Sequence, residues 1–139
     1  MRAIIRVGIL AGLATLSALT GSEAQQQALT KRSSQGPVTV AVTLTALPAP
    51  GAPLRAKVVL DTHSVALDGI KFEEAVTLRA SDGTEIAPTG VEQASGSGHH
   101  REAVVVFATP SGAGALNIIV KNVGGVAERS FTWELPASR

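Results

Sequence analysis

Three histidines and one aspartate are the residues of this 139-residue chain whose types and spacing could do chemistry. Asp61 and His63 stand two apart in Leu60-Asp61-Thr62-His63-Ser64, so on an extended chain both project from one side. His99 and His100 follow the glycine-rich stretch Gly96-Ser97-Gly98, which reads as a mobile loop able to swing the pair toward a neighbour. Gathered at one end of a domain, these residues make a nitrogen and oxygen donor set of two or three imidazoles and a carboxylate. Such a set suits Cu(II) or Zn(II) and, lacking sulfur, does not suit Cu(I). Adjacent residues of an extended chain point in opposite directions, so His99 and His100 share one ion only across a bend. Spacing does not choose between them. The same residues also have a purely structural reading, because Asp, Thr and Ser side chains bond to nearby backbone and shape turns.

Other chemistries fit less well. Ser64 beside His63 and Asp61 supplies the residue types of a hydrolytic triad, but neighbours in a strand splay apart, and no glycine-flanked serine sits at a strand-to-helix elbow. The chain is therefore expected not to be an enzyme. It contains no cysteine, which excludes disulfides, thiolate metal sites and a thiol nucleophile. A formal net charge of +1, three phenylalanines, one tryptophan and no tyrosine offer neither a basic face nor a stacking platform for nucleic acid. Asp68-Gly69 reads as a turn with too few carboxylates for calcium. Gly124-Gly125 lacks the strand–glycine–helix context of a phosphate loop and reads as a hairpin link. Arg129 shares a face with Phe131 and Trp133 and is expected at the rim, stacked or paired with a carboxylate.

The elements that must position the histidines are strands. Residues 38–45 alternate valine with threonine, 54–62 alternate leucine, alanine and valine with charged residues, and 126–135 place Phe131 and Trp133 on one face. Residues 75–80, 85–88, 102–109 and 115–122 complete the set, separated by turn signals such as Ser81-Asp82-Gly83-Thr84. Residues 93–100 read as a loop, and residues 67–74 hold one helical turn at most. About seven short strands at this spacing predict a single immunoglobulin-like antiparallel β-sandwich without its usual disulfide, over residues 37–136. Its core would centre on Phe131 and Trp133.

Ahead of that domain, residues 1–24 carry the parts of a secretory signal. Arg2 and Arg6 precede an apolar run too short to span a bilayer, and Ser22-Glu23-Ala24 ends it with small residues at the expected positions. Residues 25–36, polar and without period, read as a flexible leader. The expected location is periplasmic or secreted, with no membrane span once the signal is cleaved. Removing Arg2, Arg6 and Glu23 leaves ten basic and ten acidic residues, a formally neutral mature chain.

The succession of Leu60-Asp61-Thr62-His63-Ser64, Gly98-His99-His100-Arg101 and Gly124-Gly125-Val126 with Arg129, Phe131 and Trp133 resembles a group of small exported bacterial sandwich domains of unsettled function. That likeness spans roughly residues 40–135. It implies that the Asp-x-His and His-His elements belong together. Asp61 and His63 also resemble the Asp-x-His element of CopC-type periplasmic copper-binding proteins. Those proteins typically place a histidine at the mature N-terminus. Gln25 stands there in this chain, so His99 or His100 would supply the missing nitrogen.

These readings converge on an exported, monomeric domain that binds a divalent transition metal, copper or zinc, through Asp61, His63 and His99 or His100. The alternative is a non-enzymatic interaction module that docks on another envelope protein.

Overall fold

The computed structural model describes residues 27–108, 110 and 114–135. The proposed signal segment and most of the turn after residue 108 lie outside them. Among the described residues, nine strands form two antiparallel sheets: β1 (Thr30–Ser33), β2 (Val38–Leu44), β3 (Leu54–Thr62), β4 (Val76–Arg79), β5 (Glu85–Ile86), β6 (Gly90–Ser97), β7 (His100–Phe107), β8 (Ala115–Val123) and β9 (Val126–Glu134). Residues 27–29 are helical, and a short helix, α1 (Phe72–Ala75), precedes β4. The first sheet runs β1-β2-β3-β7-β6 and the second β5-β4-β8-β9. With β1 set aside, these are the A-B-E-D and C′-C-F-G sheets of an immunoglobulin-like sandwich.

Alternation builds the core. Along β3, Leu54, Ala56, Val58 and Leu60 are buried while Arg55, Lys57 and Asp61 face solvent. Ala103, Val105 and Phe107 on β7 meet Val58, Ala56 and Leu54 across the pairing, and Leu116, Ile118 and Val120 close the cluster from the second sheet with Phe131 and Trp133. Each such side chain taken fully from water contributes about 1.5–3 kcal/mol. In a chain without cysteine that packing holds the sandwich together.

Two strands exceed the seven expected, and both lack an apolar period. β1 occupies part of the stretch read as a flexible leader. It pairs with β2 from Thr30 opposite Thr43 to Ser33 opposite Val40. β6 occupies most of the stretch read as a loop. It is an edge strand whose residues from Glu92 to Ser97 are all exposed, so no core-facing row marks it in the sequence. Its register shifts between Glu92 and Ser95, where Gln93 takes a φ of 52°. The glycines between them are also put to a different use. Gly96 lies inside β6 with a φ of 87°, and a Cβ there would run into the His100 carbonyl. Gly98 and His99 form a two-residue link between Ser97 and His100. The stretch is a tight hairpin end, not a tether.

Arg129 corrects a second expectation. It is 3% exposed and donates to the carbonyls of Val123 (2.9 Å), Gln35 (2.6 Å) and Val38 (3.1 Å). The alternation that faces Phe131 and Trp133 inward carries Arg129 inward too. There its fork fills the end of the sandwich where the first and last strands meet. Burial depresses its pKa from the ordinary guanidinium value.

Candidate functional site

The register of β3 against β7 sets Asp61 directly opposite His100 on the outward face of the first sheet. Their side chains meet: His100 Nδ1 lies 2.5 Å from Asp61 Oδ1. An ionised carboxylate only accepts, so Nδ1–H donates and Nε2 is left as the ring's other nitrogen. Nε2 faces Glu102 Oε2 at 3.6 Å, and Lys57 Nζ lies 3.3 Å from that same oxygen. The result is a surface row in which an imidazole stands between two carboxylates. The hydrogen bond that His100 donates to Asp61 is the largest cause holding the His100 pKa above its usual range; partial desolvation opposes it, and the charges of Asp61 and Glu102 add to it. Both members of the pair are about half exposed, at 53% for His100 and 51% for Asp61.

The other two histidines lie on the same two segments at the same end of the sandwich. His63 follows the last residue of β3, and His99 is the second residue of the β6–β7 link. Thr62 donates its backbone N–H to the His99 carbonyl at 3.0 Å, so these segments touch beyond the end of the regular ladder. Both histidines are exposed. Among the described residues, no group of three or more histidine, aspartate or glutamate side chains is placed to hold one metal ion. The segments therefore meet, but the side-chain contact between them is the Asp61–His100 pair.

The connection at residues 63–71 is fastened over this corner by groups to which the sequence reading gave no such role. Thr62 points inward, donates to the Pro37 carbonyl at 2.8 Å and accepts the Ser64 N–H at 3.2 Å, which turns the chain at His63. Asp68 Oδ1 accepts the Gly98 N–H at 3.0 Å, and Leu67 N–H donates to the Gly98 carbonyl at 2.8 Å. Arg101 does most. It pairs with Leu60, faces inward, lies 5.1 Å over the Phe72 ring, and donates to the carbonyls of Leu67 (3.0 Å), Asp68 (3.4 Å) and Ile70. All three carbonyls converge on one nitrogen, Nη1, and share its two hydrogens. One signal could have found it, since Arg101 shares the parity of Ala103, Val105 and Phe107.

Elsewhere, charged side chains pair among themselves. Arg79 bonds both oxygens of Glu128, at 2.6 and 2.9 Å, and Glu85 at 2.8 Å; Lys121 bonds Glu85 at 2.5 Å. This network crosses the row that holds Ile119, which is fully buried although it faces away from the core. A cavity of about 210 Å³ lies in the proline-rich connection between β2 and β3, lined by Leu47, Pro48, Pro53 and Arg55 among others. It lies at the opposite end of β3 from Asp61 and His63 and carries no titratable pair. No helix among the described residues is long and apolar enough to cross a membrane.

Comparison with protein-family models, with curated proteins and with solved structures returns no match.

Proposed function

We propose that this chain is an exported sandwich domain that binds a divalent transition metal, copper or zinc, at the corner where β3 meets the β6–β7 hairpin, and that its role is binding or carriage rather than turnover. One observation carries the reading. Asp61 and His100, 39 residues apart in the chain, are brought into contact on an exposed corner, with His63 and His99 on the flanking residues. A carboxylate on one imidazole nitrogen fixes the tautomer and turns the other nitrogen outward, the arrangement metal-binding histidines commonly use. His63 and His99 are both exposed, so neither side chain is held in the core. The signal-like sequence of residues 1–24 supports a location outside the cytoplasm, where the domain would meet such ions directly.

The test is titration of Cu(II) and Zn(II) into tag-free protein, followed by calorimetry. Saturable binding at micromolar metal is expected, strongly weakened by His100→Ala and by His63→Ala. Failure of both metals to bind at that concentration ends the reading.

A second reading, an interaction module for another envelope protein, is favoured by β6. That strand leaves an exposed, mostly polar sheet edge whose outer backbone groups are open to pairing with another chain. A defined partner that stays bound in the presence of chelator would favour it over the metal reading.

A further inference from the structure

The surface row on β3 and β7 contains a carboxylate better placed than Asp61 to touch an ion. We infer that, if the ion-binding reading above holds, the carboxylate ligand at this corner is Glu102, that His100 Nε2 is its partner, and that the favoured ion is zinc. Asp61 then acts as the outer group that orients the ring.

The geometry is simple. Asp61 is engaged with Nδ1, and the two ring nitrogens point away from each other, so an ion on Nε2 is turned away from the carboxylate that holds Nδ1. Glu102 Oε2 lies on the Nε2 side at 3.6 Å. With metal–nitrogen bonds of about 2.0–2.1 Å and metal–oxygen bonds of about 2.0–2.2 Å, an ion touching both atoms subtends an angle of about 120°. A tetrahedral ion wants the two ligands about 3.4 Å apart, and neighbouring corners of a square plane want about 2.9 Å. The observed separation is nearer the tetrahedral value, which zinc prefers, than the tetragonal one, which Cu(II) prefers. Two protein ligands leave further positions for water, for His63 or His99, or for a group on another molecule.

The row also contains a competitor. Lys57 Nζ sits 3.3 Å from the same Glu102 oxygen. An ammonium and a metal ion cannot both take that oxygen without repelling each other, so Lys57 holds Glu102 in place while the ion is absent and weakens the ion's grip when it arrives. This gives opposite signs for two neighbouring substitutions, which a merely structural row would not produce.

The experiment is calorimetric titration of Zn(II) into the tag-free protein and its variants, with the chemical shift of His100 Nε2 followed by NMR. Glu102→Gln is expected to weaken binding at least about tenfold, and Asp61→Asn by about 10–100-fold. Lys57→Met is expected to tighten it about tenfold or more, the Coulomb repulsion between an ammonium and a divalent ion about 4–5 Å apart in water. Glu74→Gln, on the exposed surface of α1, should bind as the parent does. The Glu102 and Lys57 side chains are 30% and 46% exposed, so both variants should keep the fold, which a thermal melt checks. Zinc binding unchanged by Glu102→Gln and Lys57→Met but lost with His63→Ala or His99→Ala overturns this assignment and leaves metal binding standing. Absence of binding by either Zn(II) or Cu(II) in the parent overturns the metal reading itself.

Discussion

Replacing Arg129 by methionine keeps most of the apolar stem and removes the guanidinium. Three carbonyls lose a donor: Val123, Val38 and Gln35. The first two bonds are buried, and a buried acceptor left unsatisfied costs about 1–3 kcal/mol. Gln35 is exposed and can turn to water. Against this, the variant no longer has to desolvate a charge, a cost visible in the depressed pKa of Arg129. The balance is a loss of about 3 kcal/mol, the middle of the range for two stranded acceptors less a modest return. For a domain of this size about 1 kcal/mol moves Tm by about 4–8 °C, so Tm should fall by about 12–24 °C. Urea unfolding followed by Trp133 fluorescence, with a thermal melt by circular dichroism, measures both. Arg129→Lys should fall between parent and methionine variant, because a compact ammonium cannot reach three separated carbonyls as a planar fork does. If Arg129→Met unfolds within about 0.5 kcal/mol of the parent, a typical surface substitution, the account of Arg129 as the donor for this end of the sandwich is wrong.

Four further outcomes are expected. In the metal-free protein, His100 should titrate above about pH 6.5, and Asp61→Asn should bring it back toward that reference, read from the imidazole resonances by NMR. Because the folded-state pKa is the raised one, the pair's contribution to stability is present below about pH 6.5 and fades as pH rises through the folded value; the Tm difference between parent and Asp61→Asn should shrink over that window. Arg101→Met should speed hydrogen exchange at the Leu67 and Ile70 amides more than at β8 and β9, because it frees the carbonyls that pin that connection. Phe107→Ala should cost about 3–5 kcal/mol in urea unfolding, since Phe107 is the largest of the fully buried side chains and stands opposite Leu54.

Sequence alone predicts the strands that bury a face. The alternation of β2, β3, β8 and β9 is written in valine, leucine, isoleucine and the Phe131–Trp133 pair, and the predicted bounds of β3 match the observed ones. β1 and β6 are silent for a common reason: an edge strand held by backbone pairing needs no apolar row. At the site, parity carries more information than charge. Arg101 and Arg129 each stand at an inward position of a strand, where the cost of burying a charge argues for a rim location; converging carbonyls reverse that argument. Local spacing places Asp61 beside His63, yet the partner that Asp61 meets is His100. That choice comes from the β3–β7 register, which is set by core packing along both strands and is written in no short motif. Glu102 and Lys57 enter the same row for the same reason.

The bonds from Arg129 to Gln35 and Val38 span 94 and 91 residues, and Trp133 Nε1 donates to the Leu29 carbonyl across 104. The opening strands are thus secured by the closing hairpin. A chain emerging from its N-terminus can pair β1 with β2 early, but it cannot complete the bonds from Arg129 and Trp133 until nearly the whole length has arrived. Such long loops slow the search, and all-β chains of this topology fold in about milliseconds to seconds. Versions cut before Val126 should stay open and be readily digested, and the fluorescence of Trp133 should report the last docking event rather than the first collapse.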